Sequence, residues 1–420
     1  MEFQKTTLGE LSVNGKGSYG IAASAVPYSD ELFTYLRITD INDDGTLNKS
    51  GFMSVSDEKA EQYLLKPNDI VFARTGGSTG RNYFYDGTDG EFVYAGFLIK
   101  FSIDSTKVNP RFIKYYCLSQ EYRGWVHSFN TGSTRGNINA QTYANMPILL
   151  PSREQQDLLV DTLSVIDEKI KLNTAINENL EQQAQALFKA WFVDFVPFDE
   201  KMVESPIGTL IPASLKMVQI ADIPHDLETG KRPKGGAVAD GIPSVGAENV
   251  KKLGDFNPSS AKYIPFEFAE KMKKGEIKGY EVLLYKDGGK PGTFIPHFSM
   301  FGEGFPYSEF YINEHVFKLD FYDRGFNEFM YFYLQTDYPY NWLANNGGKA
   351  AVPGINQQDV NTIWCFSPEH PMIQEYCKWV QPIFTTILKN CTQNMELAAL
   401  RDTLLPKLMN GEIDVSDVKI

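Results

Sequence analysis

Two stretches of this chain carry the same helical seam. Positions Leu159, Leu163, Ile166, Ile170, Asn173, Asn177, Leu180, Ala184, Leu187 and Trp191 advance in steps of four and three. That spacing keeps one stripe facing a partner helix, as in a coiled coil. Adding 217 gives Tyr376, Val380, Ile383, Ile387, Asn390, Asn394, Leu397, Arg401, Leu404 and Leu408, with six of the ten identical. An asparagine on a helix is either a solvated surface residue or a buried amide that sets register. Its recurrence at two equivalent seam positions favours the buried role. Two such helices in one chain most easily bury their stripes against each other. If a pseudo-two-fold axis relates them, they run antiparallel, with Asn173 opposite Asn394 and Asn177 opposite Asn390. Pro382 lies inside the second stretch and is expected to kink or delay that helix, whereas Pro406, near its end, costs less.

The repeat extends beyond the helices. Asp69-Ile70-Val71-Phe72-Ala73 followed by Arg74-Thr75-Gly76-Gly77-Ser78-Thr79-Gly80 parallels Glu281-Val282-Leu283-Leu284-Tyr285 followed by Lys286-Asp287-Gly288-Gly289-Lys290-Pro291-Gly292. Both read as an acid, an apolar strand and a basic, glycine-rich loop. Arg111–Tyr116 matches Glu328–Tyr333 as an amphipathic helix, and Ile138-Asn139-Ala140-Gln141 matches Ile355-Asn356-Gln357-Gln358. Pro151 and Pro368 each close a short apolar strand. A period this long marks duplicated domains rather than a solenoid. The expected fold is therefore α/β (α+β), with two pseudo-symmetric globules at 1–150 and 198–368. Two long helices, in segments 151–197 and 369–420, separate them and form an antiparallel coiled coil. The segment Phe195-Val196-Pro197-Phe198 ends the first helix.

Several function classes lose support. No apolar run reaches the roughly 20 residues that span a bilayer, and Met1 to Lys5 leads into no signal-peptide core. Four cysteines without a CxxC pair and five scattered histidines argue against a zinc site or a disulfide framework, so a cytoplasmic location is expected. The chain lacks the Asn/Asp-Pro-Pro-aromatic motif of an amino-methyltransferase, a GxxxxGK[ST] loop and GxSxG. Asp255 with Glu276-Ile277-Lys278 has permissive nuclease spacing, but lysine-rich surface helices produce such sets often. The net charge of −13 is unusual for a DNA binder. Residues 1–150 hold 14 basic and 16 acidic residues and 198–371 hold 17 and 23, so any phosphate contact must come from local loops and partner proteins.

Three segments carry a family resemblance. Leu180-Glu181-Gln182-Gln183-Ala184-Gln185-Ala186-Leu187-Phe188-Lys189-Ala190-Trp191-Phe192-Val193-Asp194-Phe195 is similar to the central conserved helix end of type I restriction–modification specificity subunits. Leu400-Arg401-Asp402-Thr403-Leu404-Leu405-Pro406-Lys407-Leu408-Met409-Asn410-Gly411-Glu412-Ile413 resembles their C-terminal one, and Pro151-Ser152-Arg153-Glu154-Gln155-Gln156 resembles the lead into their first long helix. The resemblance implies a non-catalytic, sequence-specific DNA-binding subunit. Its globules are target recognition domains, each reading half of a bipartite double-stranded site. The helices space them and dock two methyltransferase subunits, and restriction subunits join the assembly. It implies no cofactor in this chain: S-adenosylmethionine belongs to the methyltransferase, and ATP and Mg to the restriction subunit. About 42 residues of helix span roughly 60 Å. With about 34–36 Å per DNA turn, two heads can sit about one to one and a half turns apart.

The candidate DNA-binding residues lie on loops. Arg74, Thr75, Gly76, Gly77, Ser78, Thr79 and Arg81 form the first set, with Lys286, Lys290 and Thr293 as its repeat. Glycines expose backbone amides to phosphates, and arginine matches guanine O6 and N7. A plain turn between strands is the alternative. Ser133, Thr134, Arg135 and Asn137, with Lys349, precede the repeated Ile-Asn pair, whose asparagines alternatively cap a turn. Lys231, Arg232 and Lys234 form the densest basic stretch, with the less charged 14–20 loop as counterpart. A solvated loop is the alternative there. Two other functions compete: a stand-alone enzyme, and a protein- or glycan-binding scaffold with duplicated domains.

Overall fold

A computed structural model of the chain describes residues 3–129, 136–349 and 352–413. Compactness divides it into two units. One runs to Glu168 and takes in the chain from Ala398 onward, and the other is Lys169–Leu397. The sequence boundaries at 150, 197 and 368 set the long helices apart as segments of their own. In the structure, each long helix contributes to both units.

The first unit is built around the strand Asp69–Ala73, every residue of which is buried. Its four-stranded sheet runs Ser18–Tyr19, Leu98–Ser102, Asp69–Ala73, Asn82–Tyr85, with antiparallel neighbours throughout. A second sheet contains a parallel pair, Phe33–Leu36 beside Phe92–Tyr94. The expected amphipathic helix runs from Pro110 to Tyr116. Asn109 caps it by accepting from the Arg111 amide, and Pro110 fills a first-turn position where no amide is needed. The first long helix, Arg153–Phe192, begins after Ser152, whose hydroxyl accepts from the Gln155 amide. Within this unit its residues Leu159 and Leu163 share a core with Leu405 and Leu408 of the second long helix, Pro371–Met409. Arg401 occupies a seam position because it has a partner: its guanidinium lies 3.2 Å from Asp167. Asp167 also accepts from Lys114 and from the Tyr115 hydroxyl. Burial pushes the Asp167 carboxyl up, but the neighbouring Lys114 and Arg401 charges outweigh it and hold the pKa below its usual value.

The second unit repeats the plan. Its four-stranded sheet runs Asp226–Thr229, Val316–Asp320, Val282–Tyr285, Phe298–Ser299, again with antiparallel neighbours. Ile242–Val245 beside Tyr311–Ile312 supplies the parallel pair. In each unit a strand near the start closes on one near the end of the globule: Gln4–Thr7 on Pro147–Leu150, and Met217–Gln219 on Trp364–Phe366. The matching amphipathic helix, Arg324–Tyr333, packs Phe329 and Phe332 against Phe188 of the first long helix.

Between the two long helices of this unit, asparagine meets asparagine. Asn173 Nδ2 donates to Asn394 Oδ1 at 2.9 Å and to Gln393 Oε1 at 2.7 Å. Asn390 Nδ2 donates to Asn177 Oδ1 at 2.8 Å. As one residue number rises its partner's falls, so the helices are antiparallel, in the register that pseudo-two-fold symmetry requires. Around these amides, Ile387, Val380 and Tyr376 are buried, and Ile170, Leu180, Leu187, Trp191, Ile383 and Leu397 are half-buried. Ile166 and Leu404 continue the stripe in the first unit.

Pro382 does not delay the helix, which begins at Pro371, well before it, and is not broken there. The carbonyl that loses its amide donor belongs to Lys378, an exposed residue that water can serve. The adjacent Gln381 carbonyl accepts from the Thr385 hydroxyl at 2.8 Å and from Arg324 Nη2 at 2.9 Å.

Two outcomes follow from these contacts. Asn173→Ala leaves the half-buried Asn394 acceptor without its donor, and is expected to cost about 1–3 kcal/mol in urea denaturation. Replacing Asn173 and Asn394 together by Leu removes both polar partners and is expected to recover most of that loss. A double variant no more stable than Asn173→Ala would disprove the pairing energetics. The second outcome concerns Glu328, fully buried, with Oε1 bonded to Arg324 Nε at 2.9 Å and Oε2 unpartnered among the described residues. Burial pushes its carboxyl from 4.5 up to about 7, against the pull of Arg324. The folded state therefore holds this proton more tightly than the unfolded state does. Stability should grow as pH falls from about 8 toward 5, by roughly 2–3 kcal/mol at most. Glu328→Gln should flatten that slope, and equal slopes for the two proteins across this range would contradict it.

Candidate nucleic-acid interface

In the first unit, the loop after the Asp69–Ala73 strand is tied down through its own backbone. The Arg74 amide donates to the Phe97 carbonyl at 3.1 Å, and the Arg74 carbonyl accepts from the Ile138 amide at 2.9 Å. Thr75 forms a bridge with Asn137. Three chain segments thus meet at Arg74: the glycine-rich loop, the turn Ala95–Phe97 and the approach to Ile138. A fourth joins through Tyr19, whose ring lies 5.0 Å from the Arg74 guanidinium carbon and whose hydroxyl accepts from the Ala140 amide. Gly20 lets this segment lie against the Tyr94 and Ala95 carbonyls, where a Cβ would have no room.

The candidate side chains differ in what holds them. Around Gly76 and Gly77 the space is open. The Thr79 hydroxyl is 2.8 Å from the Gly76 carbonyl oxygen and 2.9 Å from that of Gly136, so it serves the loop. Thr75 and Ser78 are half-buried and Asn137 is exposed. Arg81 turns aside: its guanidinium grips Asp43 at 2.7 and 3.1 Å and donates to the Ile41 carbonyl at 3.1 Å. No carboxylate pairs with Arg74 among the described residues, and its Nε has no hydrogen-bond partner there. Beside it, Phe97 is 58% exposed. Ser133, Thr134 and Arg135 lie outside the described residues.

The second unit repeats these backbone bonds. The Lys286 amide donates to the His315 carbonyl at 3.0 Å, the Ile355 amide donates to the Lys286 carbonyl at 2.8 Å, and Asp287 bridges Gly354. Gly230 lies against the Ile312 carbonyl as Gly20 lies against Tyr94. The basic stretch arrives here too, with Arg232 on Glu314 at 2.9 Å. Lys286 donates to the Glu314 carbonyl at 2.9 Å and lies 5.5 Å from the centre of the Phe317 ring. Lys231, Lys234, Lys290, Thr293 and Lys349 are exposed, Lys349 donating to Asn346. An open depression beside Lys286 is lined by Thr229, Asn356, Gln357, Gln358 and Asn361. Asn139 and Asn356 are both helix N-caps, accepting from Thr142 and from Gln358 and Asp359 respectively. That local role accounts for the repeated Ile-Asn pair.

Sequence reasoning missed the turns Ala95–Phe97 and Asn313–His315. They share a place in the fold but not a sequence, and only the flanking strands Leu98–Ser102 and Val316–Asp320 could have marked them. Each face offers a cation, polar side chains and exposed loop backbone. These are groups for phosphates and base edges. Among the described residues no cluster of His, Cys, Asp and Glu is arranged to hold a metal ion, and no helix is long and apolar enough to cross a membrane.

Residues 3–182 match the model of the type I restriction modification DNA specificity domain. The chain is 25% identical over 318 residues to the type I restriction enzyme MjaIX specificity subunit of Methanocaldococcus jannaschii, covering 74% of this chain and 71% of that one. It is 24% identical over 415 residues to the HindI specificity subunit of Haemophilus influenzae, covering 83% and 87%. The crystal structure of a type I restriction–modification S subunit from M. genitalium superposes with a TM-score of 0.52 at 14% identity, covering 97% of this chain and 96% of that one. This last likeness is one of fold.

The contrast between the two arginines is testable by thermal melting. Arg81→Ala removes a bidentate pair and a bond to a backbone carbonyl and is expected to cost about 1–2 kcal/mol. Arg74→Ala should cost less. The reverse order would mean that Arg74, not Arg81, holds the loop.

Proposed function

We propose, from the premise that this chain belongs to the type I restriction–modification specificity-subunit family, that each unit reads one half of a bipartite DNA site. The four-segment constellation around Arg74, and its repeat around Lys286, forms the contact face. One observation carries the reading: the same backbone bonds hold a basic residue at the same place in both units, although the surrounding side chains differ. A shared scaffold with divergent loops is what a reader of two unlike half-sites needs.

On this reading the chain performs no chemical step. Arg74 and Lys286 position the backbone of the duplex, while exposed loop side chains and the amide-lined depression meet base edges. Methyltransferase subunits, two by the symmetry of the repeat, supply S-adenosylmethionine chemistry. Restriction subunits supply ATP- and Mg-dependent steps. The seam helices are the docking element, and the assembly works in the cytoplasm. A net charge of −13 leaves much of the phosphate contact to those partners.

Methylome sequencing of a host expressing this chain with its methyltransferase tests the assignment. Exchanging residues 1–150 for those of another family member should alter one half of the methylated motif. A change in both halves would end the one-unit-per-half-site reading. In duplex binding by the co-expressed complex, Arg74→Gln and Lys286→Gln should each weaken affinity and lower the salt slope by about 1.

A further inference from the structure

We infer that Glu314 and Asp287 set the selectivity of the second unit's face, by holding its cations in internal ion pairs until DNA phosphates displace them. The inference rests on reading this face as DNA-contacting. Arg232 Nε lies 2.9 Å from Glu314 Oε1, and Lys286 Nζ lies 3.5 Å from Asp287 Oδ2. His315 stands between the carboxylates, Nδ1 against Asp287 and Nε2 3.2 Å from Glu314. Arg232 and Lys286 are thus each matched by an acid of this chain.

The fold does not need these acids. At the equivalent places in the first unit stand Thr75 and Gly96, and the same backbone bonds form there without a carboxylate. Glu314 also has a cost, since its Oε2 is buried without a hydrogen-bond partner among the described residues. A costly acid absent from the matching scaffold points to a role in binding rather than folding. A carboxylate occupying a phosphate-binding cation does two things. It lowers affinity for any duplex, because a phosphate must first displace it. It also rejects backbones that approach without enough new contacts to repay the displacement. The two faces therefore differ in kind: Arg74 and Lys286 each lie against an aromatic ring, but Arg74 has no carboxylate partner among the described residues, whereas Lys286 and Arg232 are masked.

Fluorescence anisotropy with a random-sequence duplex, using the full chain co-expressed with a methyltransferase subunit, tests this over a range of salt concentrations. Glu314→Gln should bind about three- to tenfold tighter at each salt concentration and leave the salt slope unchanged, because the cations meet phosphate in both complexes. Asp287→Asn should do the same, and it decides the matter if the first variant does not fold. A damaged fold lowers affinity, so a gain cannot arise from it. If neither acid variant gains affinity while Lys286→Gln still weakens binding, the masking inference is overturned and the interface reading stands. If Lys286→Gln and Arg232→Gln also bind like the parent, the interface reading falls, and the inference with it.

Discussion

A buried amide in an apolar helix seam needs a polar partner at the right height. Asn173 and Asn177 meet Asn394 and Asn390 in this way. A slip of one helical turn would strand polar groups among Ile387, Val380 and Leu180, so the pairs set both direction and register. The seam buys that specificity with stability that leucine would supply more cheaply. Because the long helices contribute to the cores of both units, their register fixes which hydrophobic residues each core receives.

On that frame the two units repeat a loop scaffold more faithfully than a sequence. Strand order, the parallel pair, the closing strand pair and the backbone bonds around Arg74 and Lys286 all recur. Backbone hydrogen bonds do not depend on side-chain identity, so this geometry survives while the side chains change. Phe97 and His315 show how far the change goes: each offers its carbonyl to the same amide, but one presents an exposed ring and the other sits between two carboxylates.

The acidic balance of the chain is compatible with this arrangement because charge acts locally across a loop cluster. Several of its cations are already engaged inside the protein, Arg81 by Asp43, Arg401 by Asp167, and Arg324 by Glu328. Counting charges therefore said little about which loops face a ligand.

The sequence by itself determined the duplication, the helix seam, the antiparallel asparagine pairing and the strands that precede both basic loops. These are periodic or repeated features, where each position reports on its neighbours a few residues away. Tertiary structure alone decided which loops meet. The turns 95–97 and 313–315 complete the faces without any shared motif, and Arg81, chosen for its loop, is drawn to Asp43 across 38 residues of chain. Only the fold could choose the capping role that the sequence offered for Asn139 and Asn356, or show that the helix runs through Pro382. Contacts between distant, irregular segments leave no period in a sequence, because they are set by where the strands and helices carry the loops.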